Sequence, residues 1–450
     1  MAENTKYAYR FLARTVVEAL TPIAVGTGEK DVLSDALVVV DINGLPYIPG
    51  SSLAGVMRHA WEKTHQEALF GKQEGSDCWG SRVIVSDARM VGKGGHVLDG
   101  FCEEDMQDEF LKRFERLPIR QHVRINHQGT SAKNGKFDEQ VVFKGCRFCF
   151  DLELLSEDGD STPFEDLLNL FREGDFRVGG SVRHGLGQIG VVNCKTLALN
   201  LNEPADLECY LQYSSSLKED FPGSDCQIQQ TATELYHYQL NLQPENFFLF
   251  GSGFGDADAD MTPVTEDYIV WDENGNPHFE KQRGLIPASS VKGALAHRVA
   301  YHWNRMQGIF ADQNPEVLNQ ENPAVVSLFG SADPKNPKCG HTFFSDVYLE
   351  TSVPAKLLNH VAIDPFTGGA AEMMLFAEKT FDGFKNQENL VFDIWVEKTV
   401  LQDETVKEAL ECALRDLCSG RLPLGGGVNR GHGAFYGSLQ LDDACIFQCQ

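Results

Sequence analysis

The chain has 450 residues, 42% hydrophobic and 23% charged, an ordinary globular composition but more chain than one hydrophobic core usually holds. A formal net charge of −26 argues against a nonspecific polyanion binder. No apolar run approaches the roughly 20 residues of a membrane helix, and the start lacks a basic-then-apolar signal layout, so the expected setting is cytoplasmic with no membrane partner.

The first element is an opening strand, YAYRFLARTVV, followed by the glycine-bearing loop AVGTGEKD. Asp35 lies just beyond it, before an apolar stretch that leads to LPYIPGSSLAGVMRHAWE. Proline and paired serines before an apolar stripe (Leu53, Val56, Met57, Ala60, Trp61) predict a helix with a capped start at Ser51 and Ser52. The unpaired N–H groups and serine hydroxyls of such a start also suit an anion. Next come LFGKQEGSDCWGSRVIVSDA and then RQHVRINHQGTSAKNGKFDEQVVF, two strands around a Gly/Asn/Lys-rich tip. This protruding hairpin is locally basic, with Arg120, Arg124, Lys133 and Lys136, and suits backbone contact with a single nucleic-acid strand. CRFC, with Cys146 and Cys149, lies in an alternating strand without a second pair; no zinc is expected. A helix carrying Phe164, Leu167, Leu168 and Phe171 runs into VGGSVRHGLGQIG and a closing strand.

A polar Ser/Pro/Gly stretch then places a linker at 206–232, dividing a first domain, 1–205, from a second, 233–450. The second domain repeats the first. Its strand LYHYQLNLQ precedes FGSGFGDADAD, IPASSVKG, LFGSADPKNPKCGHTFFSDV, HVAIDPFTGGA and LGGGVNRGHGAFYG, in the same order as their counterparts. Such a displacement is one domain long and marks a duplication. The pattern of strand, helix, strand, hairpin, helix, glycine loop and strand predicts α+β architecture: two tandem ferredoxin-like (RNA-recognition-type) domains, each with an inserted thumb hairpin and a C-terminal glycine-rich loop.

The two glycine loops are neither Walker nor Rossmann fingerprints, because they follow a helix instead of opening one. Arg183, His184, Arg430 and His432 beside them favour a polyanion over a plain tight turn. No Ser-His-Asp order, His-Glu-x-x-His or Cys/His cluster is present. Acidic residues near the loops (Asp35; Asp256, Asp258 and Asp260; Glu266 and Asp267) suit metal binding or removal of a 2′-hydroxyl proton, with solvated acidic loops as the alternative.

Taken together, IPGSSxxG, LFG, VSDA and the late glycine loop resemble the repeat-associated (RAMP) superfamily of CRISPR systems, most of all the backbone subunits of type III RNA-targeting effectors. The resemblance implies two such subunits fused in tandem, an arrangement similar to that of subtype III-D. The resemblance implies CRISPR RNA, complementary target RNA and other effector subunits of the RAMP and large-subunit types as partners. It implies thumbs that kink the guide–target duplex, and target cleavage by a loop aspartate with a transient divalent metal ion (Mg or Mn). The cleaving and metal-binding role falls on Asp35. In the second half, counting seven residues past Gly253, as Asp35 lies seven past Gly28, gives Asp260; counting back from Asn274-Gly275, as Asp35 precedes Asn43-Gly44, points to Glu266 and the adjacent Asp267. Guide contact falls on Ser51, Ser52, Arg58 and His59, on Ser289, Ser290, Lys292 and His297, and on the loops at Gly179, Gly180, Gly185 and Gly187 and at Gly425, Gly426, Gly431 and Gly433. The rival readings are an inert guide-binding scaffold, a guide-processing endoribonuclease using His59, His184 or His432, and a small-molecule enzyme.

Overall fold

The computed structural model describes residues 6–30, 34–61, 66–75, 77–126, 128–228, 234–310, 312, 318, 321–331, 333, 335–349, 355–383 and 389–449. Two antiparallel sheets organise it. In the first, the opening strand Tyr9–Ala19 lies between Arg147–Ser156 and Ile189–Asn200, with Val83–Val85 outside the former and Ser224–Asp225 outside the latter. In the second, Leu235–Pro244 lies between Leu390–Glu397 and Phe435–Leu441, with Thr342–Phe344 and Ala444–Gln448 at the edges. In each sheet the four main strands follow the same spatial order: fourth, first, third, second in chain sequence.

One face of each sheet is buried under helices. In the first, Phe11, Ala13 and Val17 share a core with Leu53 and Met57 of helix Gly50–Ala60 and with Phe164, Leu167 and Leu168 of helix Thr162–Asn169. In the second, Tyr238, Leu240 and Leu242 meet Val291, Leu295 and Val299 of helix Ala288–Met306 and Ala409, Leu410 and Leu414 of helix Glu404–Cys418. Each large aliphatic or aromatic side chain so buried contributes roughly 1.5–3 kcal/mol. Burial also raises the Cys149 thiol to about 12, so it packs as a neutral core group.

The expected linker is part of the first unit. Pro204–Gln212 is helical, and Leu217 and Phe221 are buried. Phe221 covers Leu12 and Leu199 on the sheet's second face, and Leu217 covers Cys149 there. Two apolar residues four apart in a polar stretch are enough to hold it against a sheet face. Residues 229–232 lie outside the described residues.

Two hairpins project from the sheets, Ile119–Ile125 with Ser131–Gln140 and Ala355–Ile363 with Ala370–Asp382. The second half adds Thr265–Trp271 with Pro277–Ile286, whose Phe279 packs among Phe110, Phe114 and Phe143 of the first half. No helix among the described residues is long and apolar enough to cross a membrane.

Candidate functional site

Both Ile-Pro-x-Ser-Ser segments become helices, but their serines do not cap them. Each helix starts directly after its proline, Pro49 or Pro287, so the serines already lie in the first turn. The cap comes from another repeated segment. Asp87 of VSDA accepts from the Gly50 N–H at 3.0 Å, and Asp346 of FSDV accepts from the Ala288 N–H at 2.8 Å. A carboxylate at this end is favoured by the helix dipole. Ser51 and Ser290 are exposed, as are Arg58 and His59 on the last turn of the first helix.

The halves meet head to tail. The first glycine loop lies on the start of the second half's long helix: Gly185, with φ +100°, is so close to Ala288 that any side chain would collide with it. Nearby, Arg177 Nη1 donates to the Phe344 carbonyl at 3.2 Å, and His297 Nε2 lies 3.3 Å from the Ile125 carbonyl of the first hairpin.

This joint brings Arg177, Arg183 and Lys292 together with the carboxylates of Asp175, Asp346 and Glu397. Arg177 is 3% exposed, and its Nε and Nη2, like Nε and Nη1 of Arg183, have no hydrogen-bond partner among the described residues. Arg183 lies 3.7 Å from the Phe343 ring centroid and 3.6 Å from Glu397. On the facing helix, burial and Arg183 push the Lys292 amine down to about 8. Burial and Lys292 push His184 down to about 4, so it is neutral at physiological pH. Buried cations without full compensation are costly. Planar donors and an ammonium gathered at a helix start form an arrangement suited to phosphate.

The two candidate aspartates hold matching positions. Asp35 Oδ2 accepts from the Asp138 N–H at 3.3 Å, and Asp260 Oδ2 accepts from the Ala377 N–H at 2.8 Å. Both donors lie on the returning strand of a hairpin. The next residues repeat the match: the Gln140 N–H donates to the Ala36 carbonyl and the Lys379 N–H to the Met261 carbonyl, each at 2.9 Å. Asp35 lies 3.5 Å from Lys30, while Asp256 and Asp258 pair with Lys379 beside Asp260.

Asp267 is not part of this arrangement. It pairs with Arg113 and accepts from the Gln282 N–H at 2.8 Å in the inserted hairpin, away from the position that matches Asp35. Arg120 differs from the other basic residues of the first hairpin. It is 8% exposed, with Nη2 at 2.6 Å from Glu266 and Nη1 at 2.7 Å from Asp346. Burial opposes its charge, but Asp346 and Glu266 outweigh it and hold the guanidinium well above its ordinary value. It ties the first hairpin to the cap of the second helix instead of facing outward. Arg124, Lys133 and Lys136 are exposed on the same hairpin. Gly179, Gly180, Gly425 and Gly426 are exposed, whereas Gly187 and Gly433 are buried beneath them. The Gly180 N–H donates to the Ala24 carbonyl at 2.6 Å and the Gly426 N–H to the Leu249 carbonyl at 2.7 Å, so each loop is laced to the segment leading to its aspartate. Gly431, the counterpart of Gly185, faces open space, and Arg430 reaches Glu378 at 2.6 Å.

No group of three or more His, Cys, Asp and Glu among the described residues is placed to hold a metal ion. A single outward carboxylate, as at Asp35 or Asp260, suits a hard cation that keeps most of its waters and shares a substrate phosphate.

The family model for the RAMP superfamily matches residues 16–190 and again 274–436, once in each half. Over 95 residues the chain is 30% identical to a Pyrococcus furiosus protein described as CRISPR system Cmr subunit Cmr6. That stretch is 21% of this chain and spans 27% of the relative's length.

Proposed function

The chain belongs to the RAMP superfamily, and from that premise we propose that it is a fused backbone subunit of a type III CRISPR ribonucleoprotein effector, holding CRISPR RNA and cleaving complementary target RNA. The observation that carries the RNA-binding reading is the gathering of Arg177, Arg183 and Lys292 at one helix start in a chain of net charge −26. Matching strand orders in the two sheets support the finer fold reading, two ferredoxin-like domains each with a thumb. Similarity to a Cmr subunit supports other effector subunits as partners.

In this reading the guide's phosphates follow the joint, and each hairpin parts the guide–target duplex beside one aspartate. Asp35 and Asp260, each steadied by a hairpin N–H, face the splayed nucleotide and accept the proton of its 2′-hydroxyl as that oxygen bonds to the adjacent phosphorus. The P–O5′ bond breaks and the 5′-oxygen takes a proton from water, leaving a 2′,3′-cyclic phosphate and a 5′-hydroxyl. A divalent cation, when bound, supplies charge neutralisation at the phosphate. Asp35 and Asp260 are the residues that would hold it.

The test uses the complex purified with its RNA and an end-labelled RNA complementary to that guide. Asp35→Ala and Asp260→Ala each abolish their own cuts, and the double variant abolishes both sets while guide RNA is retained. Cutting at every site by the assembled double variant refutes cleavage by this chain and leaves the inert scaffold. The Lys30 contact to Asp35 is the observation favouring that second reading, since an ion-paired carboxylate also serves as a loop brace.

A further inference from the structure

The two hairpins carry a buried carboxylate at matched positions: Glu139, 6% exposed, and Glu378, fully enclosed. Both occupy the same place, directly after the residue whose N–H holds the aspartate. Each is bridged to the residue following that aspartate, Ala36 to Glu139 and Met261 to Glu378.

Their partners match as well. Across the hairpin, His122 Nε2 lies 2.8 Å from Glu139 Oε1, and His360 Nε2 lies 2.9 Å from Glu378 Oε1. Each histidine stacks on the phenylalanine two residues before the glutamate: His122 on Phe137 with centroids 4.8 Å apart, His360 on Phe376 at 4.7 Å. The other carboxylate oxygen binds the glycine-rich loop. Ser181 Oγ donates to Glu139 Oε2 at 2.7 Å, and Arg430 Nη2 donates to Glu378 Oε2 at 2.6 Å. Burial pushes the Glu139 carboxyl up, but the adjacent His122 and the hydrogen bond from Ser181 outweigh it and keep it below its ordinary value.

A buried, multiply bonded carboxylate is an expensive way to brace a hairpin that apolar packing would hold. The rest of the two hairpins has diverged, the first exposing Arg124, Lys133 and Lys136 and the second Phe366 and Met373. What both retain is the glutamate, its histidine and phenylalanine, and the register that presents one N–H to an aspartate. We infer that Glu139 and Glu378 are positioning residues of the two cleavage sites, each locking hairpin, glycine loop and aspartate loop into one frame. This rests on the proposed cleavage by Asp35 and Asp260.

Because both sites lie in one chain, each is the other's control. In the assembled complex, with the labelled complementary RNA and products resolved to the nucleotide, Asp35→Ala and Asp260→Ala first assign the cuts. Glu139→Ala then slows the Asp35 cuts about 100-fold, the scale of a displaced catalytic group, and leaves the Asp260 cuts unchanged; Glu378→Ala does the reverse. Glu139→Gln, which keeps shape and reach, retains most of the rate. If the alanine variant does not assemble, Glu139→Asp, which withdraws the charge by one methylene, is read in its place and slows the same cuts alone. Equal loss of both sets of cuts, or no loss with guide RNA retained, overturns the positioning role. Cuts that survive both aspartate variants overturn the cleavage reading beneath it.

Discussion

A lysine enclosed beside arginines is poised to lose its proton. Lys292 is held at about 8 by burial and Arg183, and a phosphate arriving at the joint would restore its charge. Binding above pH 8 therefore takes up a proton. RNA affinity of the chain falls as pH rises from 7 to 9.5, by up to about tenfold per unit above 8. Lys292→Arg, always charged, flattens that dependence; anisotropy of a labelled single-stranded RNA at constant ionic strength reads both, and an unchanged slope in the variant refutes the assignment. Folding runs the other way. The folded value lies below the unfolded value of about 10.4, so the penalty on the charged form is full below 8 and is relieved as pH climbs toward 10. At this scale the sequence was legible in part. Counting from the Gly-x-Gly loops found Asp35 and Asp260 as counterparts. Arg120, Glu139 and Glu378 were opaque, because a charged letter reads as solvated until its buried partner is known. The aspartates of VSDA and FSDV were visible as a repeat, but their reach to a helix start more than 30 residues earlier in the chain was not.

Elements were far more legible than contacts, since periodicity reports which face is buried without saying against what. The stripe Val406, Ala409, Leu410, Ala413, Leu414, Leu417 is wholly buried, as the helical spacing requires. The hairpins were legible as two strands and a tip, and their difference in chemistry has a measurable consequence. The first exposes Arg124, Lys133 and Lys136, whereas the second exposes Phe366 at 97%, Met373 at 96% and Leu375 at 73%. If both grip RNA, one does so by charge and the other by stacking and wedging. Replacing the three basic residues by alanine reduces the magnitude of the log affinity–log salt slope by about 2, near 0.7 per lost contact to a single strand. Phe366→Ala with Met373→Ala leaves the slope unchanged but weakens binding, by about 1–3 kcal/mol for a lost base stack. Identical slopes for the two sets of variants would refute this division.

At the scale of the whole molecule, the joint between the halves is heterologous: hairpin and glycine loop on one side, capped helix start on the other. Repeating such a contact between copies builds an open filament unless something prevents it. Here two substitutions at matched positions do. Arg120, which ties the joint through Asp346, lies two residues before His122; two residues before His360 stands Leu358. On the opposite outer face, Asp87 takes the place of Asp346, but Arg89 pairs with it from the same chain at 2.9 Å, where Asp346 has Tyr348 two residues on. A second copy docking there would set a leucine against a carboxylate that already has its cation. Freed of RNA, the chain stays monomeric near 49.9 kDa by light scattering across micromolar concentrations, and mass growing with concentration refutes the argument. Leu358→Arg combined with Arg89→Tyr recreates the internal pairing on the outer faces, and this variant self-associates. The duplication was readable from motifs repeated in the same order, but the direction of stacking was not. It depends on which residue differs at one hairpin position, and that difference has meaning only once the two halves are seen in contact.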